Sequence, residues 1–379
     1  MDKTTTLNSA YFADDVPALQ TSFAAGGSVV FAVTDSGGTQ LATWEEDYYP
    51  DANGQITIRG IGEIGMTYLL VGSASASGWT YAPWVQVRVT VTYTPALSHE
   101  TIAVFTTKIY YSRARTQISD PTAYTGFLSR FTERTIVPNQ PLTFAYMELT
   151  AAPTLRYGVS WMTEDGVKYH AWDEAQTAGT AGTMKTFSMP LSDIASAVTT
   201  QSGETCTAGQ ILAVEVKLVR GGSVADSLKC YVDQGHQRQL TAFLFHNCFG
   251  VAESMAFTAD DERTNELDSE MAFMGDDYRR SWSDLEEYHT VDSGSINEEE
   301  YQACVDLATS PFVYLLDEDG TAGEEVVITA VDYADTKPRV TPTRVRVTYR
   351  STAKTTGKFD RAARVPVGVF DETFDESFE

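Results

Sequence analysis

The chain is poor in cysteine, and its few cysteines lie far apart. Cys206, Cys230, Cys248 and Cys304 contain no CxxC pair, so the spacing that builds zinc ribbons and redox-active dithiols is missing. A bridge between Cys206 and Cys230 is the pairing that spacing alone leaves open. We expect free, buried thiols, as in a chain that folds in a reducing cytosol.

Positive charge is also scarce. The chain has 27 Lys and Arg against 52 Asp and Glu, which gives a formal net charge of −25. Such a chain repels a phosphate backbone, so we expect no nucleic acid among its partners. Acidic surfaces attract cations such as Ca²⁺, but they are ordinarily just solvated, and we predict no cofactor and no metal site.

Long apolar runs are missing as well. No run reaches the roughly 18 residues that a membrane-spanning helix needs. The opening residues, MDKTTTLNSAYFADD, lack the apolar stretch of a secretory signal. We therefore expect synthesis in the cytoplasm and no membrane insertion.

What the chain does contain is strand-forming sequence. Its 379 residues include 19 Tyr and 18 Phe, and Thr and Val are abundant, which is typical of strands. The segment Trp84–Tyr93 alternates valines with polar residues, as in a strand with one buried face. Asp35-Ser36-Gly37-Gly38 and Asn53-Gly54 are hairpin-turn signals. The sequence predicts a mostly β fold of two antiparallel β-sandwich-like domains followed by a smaller α+β C-terminal domain.

The expected domain boundaries follow the composition along the chain. We expect an N-terminal arm at 1–27, a first β domain at 28–97, a second β-sandwich domain at 98–237, a C-terminal α+β domain at 238–366 and an acidic aromatic tail at 367–379. Helices are predicted at Leu191–Val198 and at Asn297–Thr309, the second with Ser295 and Glu298 as its capping box. Residues 259–292 are acidic and poorly periodic, which predicts a mixed region that pairs with its neighbours. The stretch Arg238–Glu253 is expected to turn a corner between packed units.

Two motifs resemble functional sites but fit structural roles better. Gly60–Gly65 matches GxGxxG, yet no long crossover helix and no suitably placed acid follow, so a bulge or tight bend is expected instead of a nucleotide site. His246 and Cys248 could form a Cys–His pair, but both sit in an apolar stretch without close basic residues. We expect them to pack in the core. No catalytic set is evident, which predicts a protein that is not an enzyme.

The remaining candidates concern binding. Trp161, Tyr169 and Trp172 are a possible glycan or partner contact, although such aromatics also fill sandwich cores. Asp317-Glu318-Asp319-Gly320 resembles the start of a Ca²⁺ loop, but a hairpin loop fits its position between strands better. In the tail, a possible docking segment spaces three phenylalanines four residues apart between acids, with plain disorder as the alternative: Phe370, Phe374 and Phe378.

Several sequence segments resemble those of a known family of proteins. DYYPDANGQITIRGIGEI, FLFHNCFGVAE and YHTVDSGSINEEEYQACVDLATSPFVYL, followed by the closing strand RVRVTYR, are similar to β-rich structural proteins of tailed bacteriophages that infect gut Bacteroidetes, of the minor-tail or baseplate kind. The resemblance implies a virion protein that forms homo-oligomers, contacts other tail proteins and needs no cofactor. The alternative is an adhesin module that binds a host receptor or glycan, and a polysaccharide-acting enzyme is a third hypothesis.

Overall fold

The computed structural model describes residues 7–22, 27–69, 84–93, 100–116, 118–235, 240–274, 277–317, 319–333 and 344–352. Within them the chain is mostly β, as the sequence predicts, with several sheets and three α-helices. No helix in these ranges is long and apolar enough to cross a membrane.

The elements fall into three groups along the chain. The first contains β1 (Ala10–Phe12), β2 (Leu19–Ser22), β3 (Gly27–Thr34), β4 (Gln40–Tyr48), β5 (Gln55–Ile58), α1 (Ile61–Tyr68), β6 (Val85–Tyr93) and β7 (Glu100–Tyr110). The second contains β8 (Glu133–Ile136), β9 (Leu142–Met147), β10 (Thr154–Thr163), β11 (Gly166–Ala175), β12 (Met184–Met189), α2 (Leu191–Ser202), β13 (Ile211–Arg220) and β14 (Ser223–Val232). The third contains β15 (Thr241–His246), β16 (Ala252–Phe257), β17 (Asp261–Met274), β18 (Asp277–Asp292), α3 (Glu298–Thr309), β19 (Val313–Leu316), β20 (Ala322–Tyr333) and β21 (Val345–Ser351).

The first sheet has five strands in the order β1-β7-β6-β3-β4. The alternating valines of β6 confirm the predicted pattern, because Val85, Val87, Val89 and Val91 are all buried. They pack with β2, β5 and α1 in one core. The predicted boundary at 97 is wrong, since β7 lies beyond it and pairs with β6 along its length.

The N-terminal arm is ordered by its own chain. β1 pairs in parallel with β7, and β2 pairs antiparallel with β5. Residues 7–22 therefore belong to the first group of strands. The prediction of a separate arm at 1–27 is wrong for these residues. Parallel pairing of β1 needs a long connection, which the intervening strands provide.

The second and third groups share one core. The second sheet runs β11-β10-β13-β14-β8, with β9 and β12 as a separate pair, and the third runs β16-β15-β19-β20-β21-β18-β17. A single cluster of buried side chains joins Trp161 and Val216 from one sheet to Phe243 and Tyr349 from the other. The expected division at 237 thus separates two sheets and does not separate two cores.

The acidic region 259–292, predicted as a mixed region that pairs with its neighbours, does pair with a neighbouring strand, but it consists of two long strands. β17 and β18 pair antiparallel from Asp261↔Val291 to Met274↔Asp277, with one register shift after Glu270. Only residues 289–292 of β18 also pair with β21. The rest of this hairpin, residues 264–288, is called the arm hairpin below, because no other strand of the described chain pairs with it.

Both predicted helices of the second half are present. α2 follows Pro190 and runs four residues beyond the predicted end, to Ser202, where Gly203 adopts a left-handed φ of 74°. α3 begins after Asn297, and the capping box is formed by Asn297 and Glu300. The predicted pair of Ser295 and Glu298 lies two residues too early.

The GxGxxG segment opens α1, so of the expected bulge or tight bend the structure shows a tight bend, between β5 and α1. Gly60 has a left-handed φ of 74° before the helix begins. A Cβ on Gly62 would lie 1.9 Å from the Ala13 carbonyl oxygen, and one on Gly65 would lie 2.6 Å from Ile109 Cγ2. The two helical glycines therefore let α1 approach the chain after β1 and the face of β7.

Gly62→Ala should destabilise the protein although alanine ordinarily favours a helix by about 1 kcal/mol. The added methyl meets backbone, which cannot move as a side chain can, so we expect a net loss of roughly 1–3 kcal/mol. Urea unfolding would measure it. Gly209→Ala is the control, because no atom lies within 4 Å of a Cβ there, and equal stability of the two variants would contradict the prediction.

Candidate functional site

The three aromatics proposed as a contact do not form one surface. Trp161 is 1% exposed and lies in the core that the second and third groups share, so the prediction that it contacts a ligand or partner is wrong. Trp172 is half-buried and stacks on Tyr157, with ring centroids 5.2 Å apart. Tyr169 is 61% exposed. Tyr169 and Trp172 are three positions apart on β11, so they lie on opposite faces of the sheet.

Tyr169 lies on the outer face of the second sheet, which is called the outer face below. Its ring lies against Gly158 of β10, where a Cβ would come 2.6 Å from the phenol oxygen and 3.2 Å from two ring carbons. Glycine inside a strand is unfavourable and often marks a close approach. Here the missing side chain leaves room for the phenol to lie over the neighbouring strand.

Small residues continue the outer face across the sheet. Tyr169 pairs with Ser160, Ser160 pairs with Ala213, and Ala213 pairs with Tyr231 on β14. Tyr231 is 39% exposed, and the Lys229 ammonium donates to its hydroxyl at 2.7 Å. Tyr169 and Tyr231 thus lie at the two ends of a row whose middle positions carry small side chains, called the floor below. Three inter-strand spacings of about 4.8 Å place the two tyrosines about 14 Å apart.

Ion-paired side chains lie along the outer face beside the row of Tyr169, with Glu215 one row away and the Arg156–Asp173 pair two rows away. Arg156 donates to both carboxylate oxygens of Asp173, at 2.6 and 2.9 Å. Lys217 lies 3.0 Å from the Glu215 carboxylate. The Arg156 contact lowers the pKa of the Asp173 carboxyl, so that carboxylate stays charged and accepts hydrogen bonds near neutral pH.

A second polar arrangement lies where all three groups of strands meet. The loop between β15 and β16 inserts Cys248, Phe249 and Val251 into a small core with Phe12 and Tyr110. This loop is the predicted corner, and Gly250 has the expected positive φ, at 74°. Residues Asn247–Val251 are called the junction loop below.

Arg113 and Asn247 fasten the junction loop. Arg113 Nη2 donates to the carbonyl oxygens of His246 at 2.6 Å and Asp306 at 3.2 Å. The Asn247 amide donates to the Leu128 carbonyl at 3.0 Å. One arginine after β7 thereby holds both a hairpin of the third sheet and the end of α3.

Asp306 is the buried acid of this junction. Its Oδ2 accepts from Arg130 Nε at 2.7 Å and from the Cys248 amide at 3.0 Å. The Asp306 side chain is 4% exposed and that of Arg130 is 26% exposed. The carboxylate therefore joins α3 to the segment before β8 and to the junction loop.

His246 and Cys248 pack in the interior, as predicted. Burial, with a smaller effect of Arg113, lowers the pKa of His246 to about 3. Burial and the nearby Asp306 charge raise the pKa of the Cys248 thiol well above its usual range. The thiol stays protonated and is a poor nucleophile. Sequence reasoning missed the adjacent Arg113 and Arg130, which come from distant parts of the chain.

A cleft of about 170 Å³ lies between β8, β16 and the start of α3. Its walls include Arg134, Ser254 and Glu300. Arg134 Nη1 donates to the Ser254 carbonyl and Nη2 to the Thr143 carbonyl, each at 3.3 Å. Because the guanidinium is buried and bonded to backbone, it holds β8 against β16 and β9.

The loop that begins at Asp317 connects β19 to β20, which pair antiparallel, so the expected hairpin loop is confirmed. Gly320 N donates to the Asp317 carbonyl at 2.9 Å, and the Asp319 carboxylate accepts from Thr321. Across the described residues, no group of three His, Cys, Asp or Glu is arranged to hold a metal ion. All four cysteines are free and buried. Phe370, Phe374 and Phe378 lie outside the described residues.

Comparisons with known proteins identify no family. No family model and no curated protein matches the sequence. Among solved structures, the "Crystal structure of calcium binding domain CBD12 of CALX1.1" is similar at 7% identity and a TM-score of 0.18. The match covers 59% of this chain and 96% of that one. A TM-score this low carries no inference about function.

Proposed function

We propose that this chain is a structural component of a phage virion tail, of the minor-tail, baseplate or collar kind. It acts by packing against copies of itself and against neighbouring tail proteins, and it catalyses no reaction. It is made in the host cytoplasm and ends in the virion. The sequence resemblance to phage structural proteins supports the setting, and the arm hairpin is the observation that carries the assembly role.

The arm hairpin extends well beyond the sheet that anchors it. Eleven residue pairs, from Thr264↔Tyr288 to Met274↔Asp277, lie past the last pair between β18 and β21. At about 3.4 Å per residue the hairpin reaches roughly 35 Å. A two-stranded hairpin is at best marginally stable alone in water, so a long one gains order from a partner.

The outer edge of the arm hairpin offers the means of contact. β17 is the last strand of its sheet, and among the described strands only β18 pairs with it. Backbone donors and acceptors along such an edge can add a strand from another chain. The hairpin is anchored at its base, because residues 289–292 of β18 pair with β21 in the seven-stranded sheet.

Replacing residues 264–288 by an Asn-Gly turn should abolish assembly and leave the fold intact. Arg263 and His289 are directly paired, so a two-residue turn closes the shortened hairpin without a change in register. We expect rings or collars of the full chain in electron micrographs and monomers of the shortened chain by sedimentation. Circular dichroism should show the same thermal unfolding for both.

Leu41→Ser on β4 is the control for assembly, because Leu41 is exposed on a different sheet. A full chain that stays monomeric at high concentration and is absent from particles would overturn the proposal. So would a shortened chain that still forms rings. Neighbouring genes for a tail tube, tape measure or baseplate would support the phage setting independently.

A further inference from the structure

We propose that the outer face is a saccharide-binding surface, on which a pyranose ring stacks against the phenol of Tyr169. This goes beyond assembly through the arm hairpin and does not depend on it. The site consists of Tyr169, its support Gly158, the small floor residues Ser160 and Ala213, and the Arg156–Asp173 ion pair. Of the contact expected at Trp161, Tyr169 and Trp172, it keeps Tyr169 and leaves out the two tryptophans.

The orientation of the Tyr169 ring is the first reason. The outer end of the ring lies over Gly158, where a Cβ would come within 2.6 Å of the phenol oxygen and 3.2 Å of two ring carbons, yet the residue remains 61% exposed. The ring therefore lies close to the sheet at its outer end, while most of the side chain is open to solvent. An aromatic ring presented in this way is a flat apolar platform that loses little conformational freedom when a ligand binds.

The surroundings of the ring select the ligand. A sugar ring has an apolar C–H face and a polar rim of hydroxyls. The Tyr169 platform matches the face, and the Asp173 and Glu215 carboxylates match the rim, since each retains acceptor capacity beyond its ion pair. A protein interface core is depleted of charged residues, whereas ion pairs border this platform.

The size of the floor sets the length of the ligand. Tyr169 and Tyr231 stand at the two ends of one cross-strand row, with only Ser160 and Ala213 between them. Their separation of about 14 Å follows from three inter-strand spacings. This row accommodates an oligosaccharide laid across the strands, with Tyr169 beneath one sugar and Tyr231 beside another.

An array of immobilised oligosaccharides of hexoses and N-acetylhexosamines, probed with the full chain, tests the proposal. We expect selective binding, followed by roughly tenfold weaker affinity in Tyr169→Ala for the best array ligand in solution. Tyr169→Phe should keep most of the affinity because it keeps the ring. Gly158→Ala should weaken binding by displacing the ring.

Tyr49→Ala is the matched control, because Tyr49 is 79% exposed and lies just after β4, far along the chain from the outer face. Its affinity should equal that of the unchanged chain. The chain with the shortened arm hairpin should also bind normally, which separates this proposal from the assembly proposal. The absence of any bound saccharide, or equal affinity of Tyr169→Ala and the unchanged chain, would overturn the inference.

Discussion

Asp306→Ala should lower the free energy of unfolding by about 3 kcal/mol or more. The substitution leaves the Arg130 guanidinium without its carboxylate and the Cys248 amide without its acceptor, in a place where water reaches neither freely. Removing one partner of a largely buried ion pair is destabilising because the remaining charge stays desolvated. Urea unfolding followed by tryptophan fluorescence would measure the change.

The matched control for Asp306 is the exposed acid Asp173. Asp173 and Arg156 form a shorter and bidentate contact, but their side chains are 50% and 47% exposed. Solvent screens such a pair, so Asp173→Ala should cost much less stability than Asp306→Ala. If the two variants lost equal free energy of unfolding, burial of the Asp306–Arg130 pair would not be what makes it strong.

Local signals in the sequence located the regular elements well. The alternating valines of Val85–Val91 predicted the buried face of β6. Acids that follow a polar capping residue predicted α3. The turn at Asn247–Gly250 was readable because glycine relieves the strain of a positive φ. These features depend on residues within a few positions of each other, so a single segment contains the necessary information.

Pairing between distant segments was not readable in this way. The composition suggested a domain boundary at 97, yet β6 and β7 on either side of it are neighbours in one sheet. The arm hairpin was missed because Asp and Glu interrupt the apolar alternation that marks a half-buried strand. An alternation interrupted in this way carries no strand signal that a single sequence reveals.

The proposed saccharide surface was partly predictable from the sequence. Tyr169 and Trp172 differ by an odd number of positions, and side chains alternate along a strand, so their separation onto opposite faces was predictable. The positions of Gly158 and Tyr231 relative to Tyr169 were not predictable, because they depend on the strand order β11-β10-β13-β14. The junction of Arg113, Arg130 and Asp306 likewise joins segments that carry no local signal.

Acidification should destabilise the protein through His246. Burial lowers the pKa of His246 to about 3, whereas an unfolded histidine titrates near 6.5. Between these values the unfolded chain binds a proton that the folded chain does not, so stability present above pH 6.5 is lost as the pH falls. The loss from this residue is about 1.4 kcal/mol per pH unit, or roughly 2 kcal/mol at pH 5.

His246→Gln isolates this contribution, because glutamine is polar but does not titrate. Glu253 acts in the opposite direction: burial raises the pKa of its carboxyl, and protonation at low pH then favours the folded state. The useful quantity is therefore the difference in unfolding free energy between the unchanged chain and His246→Gln, measured in urea from pH 7 to pH 5. We expect the variant to start less stable at pH 7, since it disturbs a packed site, and to lose less stability on acidification. Parallel pH profiles for the two proteins would contradict the prediction. They would mean that His246 takes up its proton over the same pH range in the folded and unfolded chains, as it would if water reached its ring.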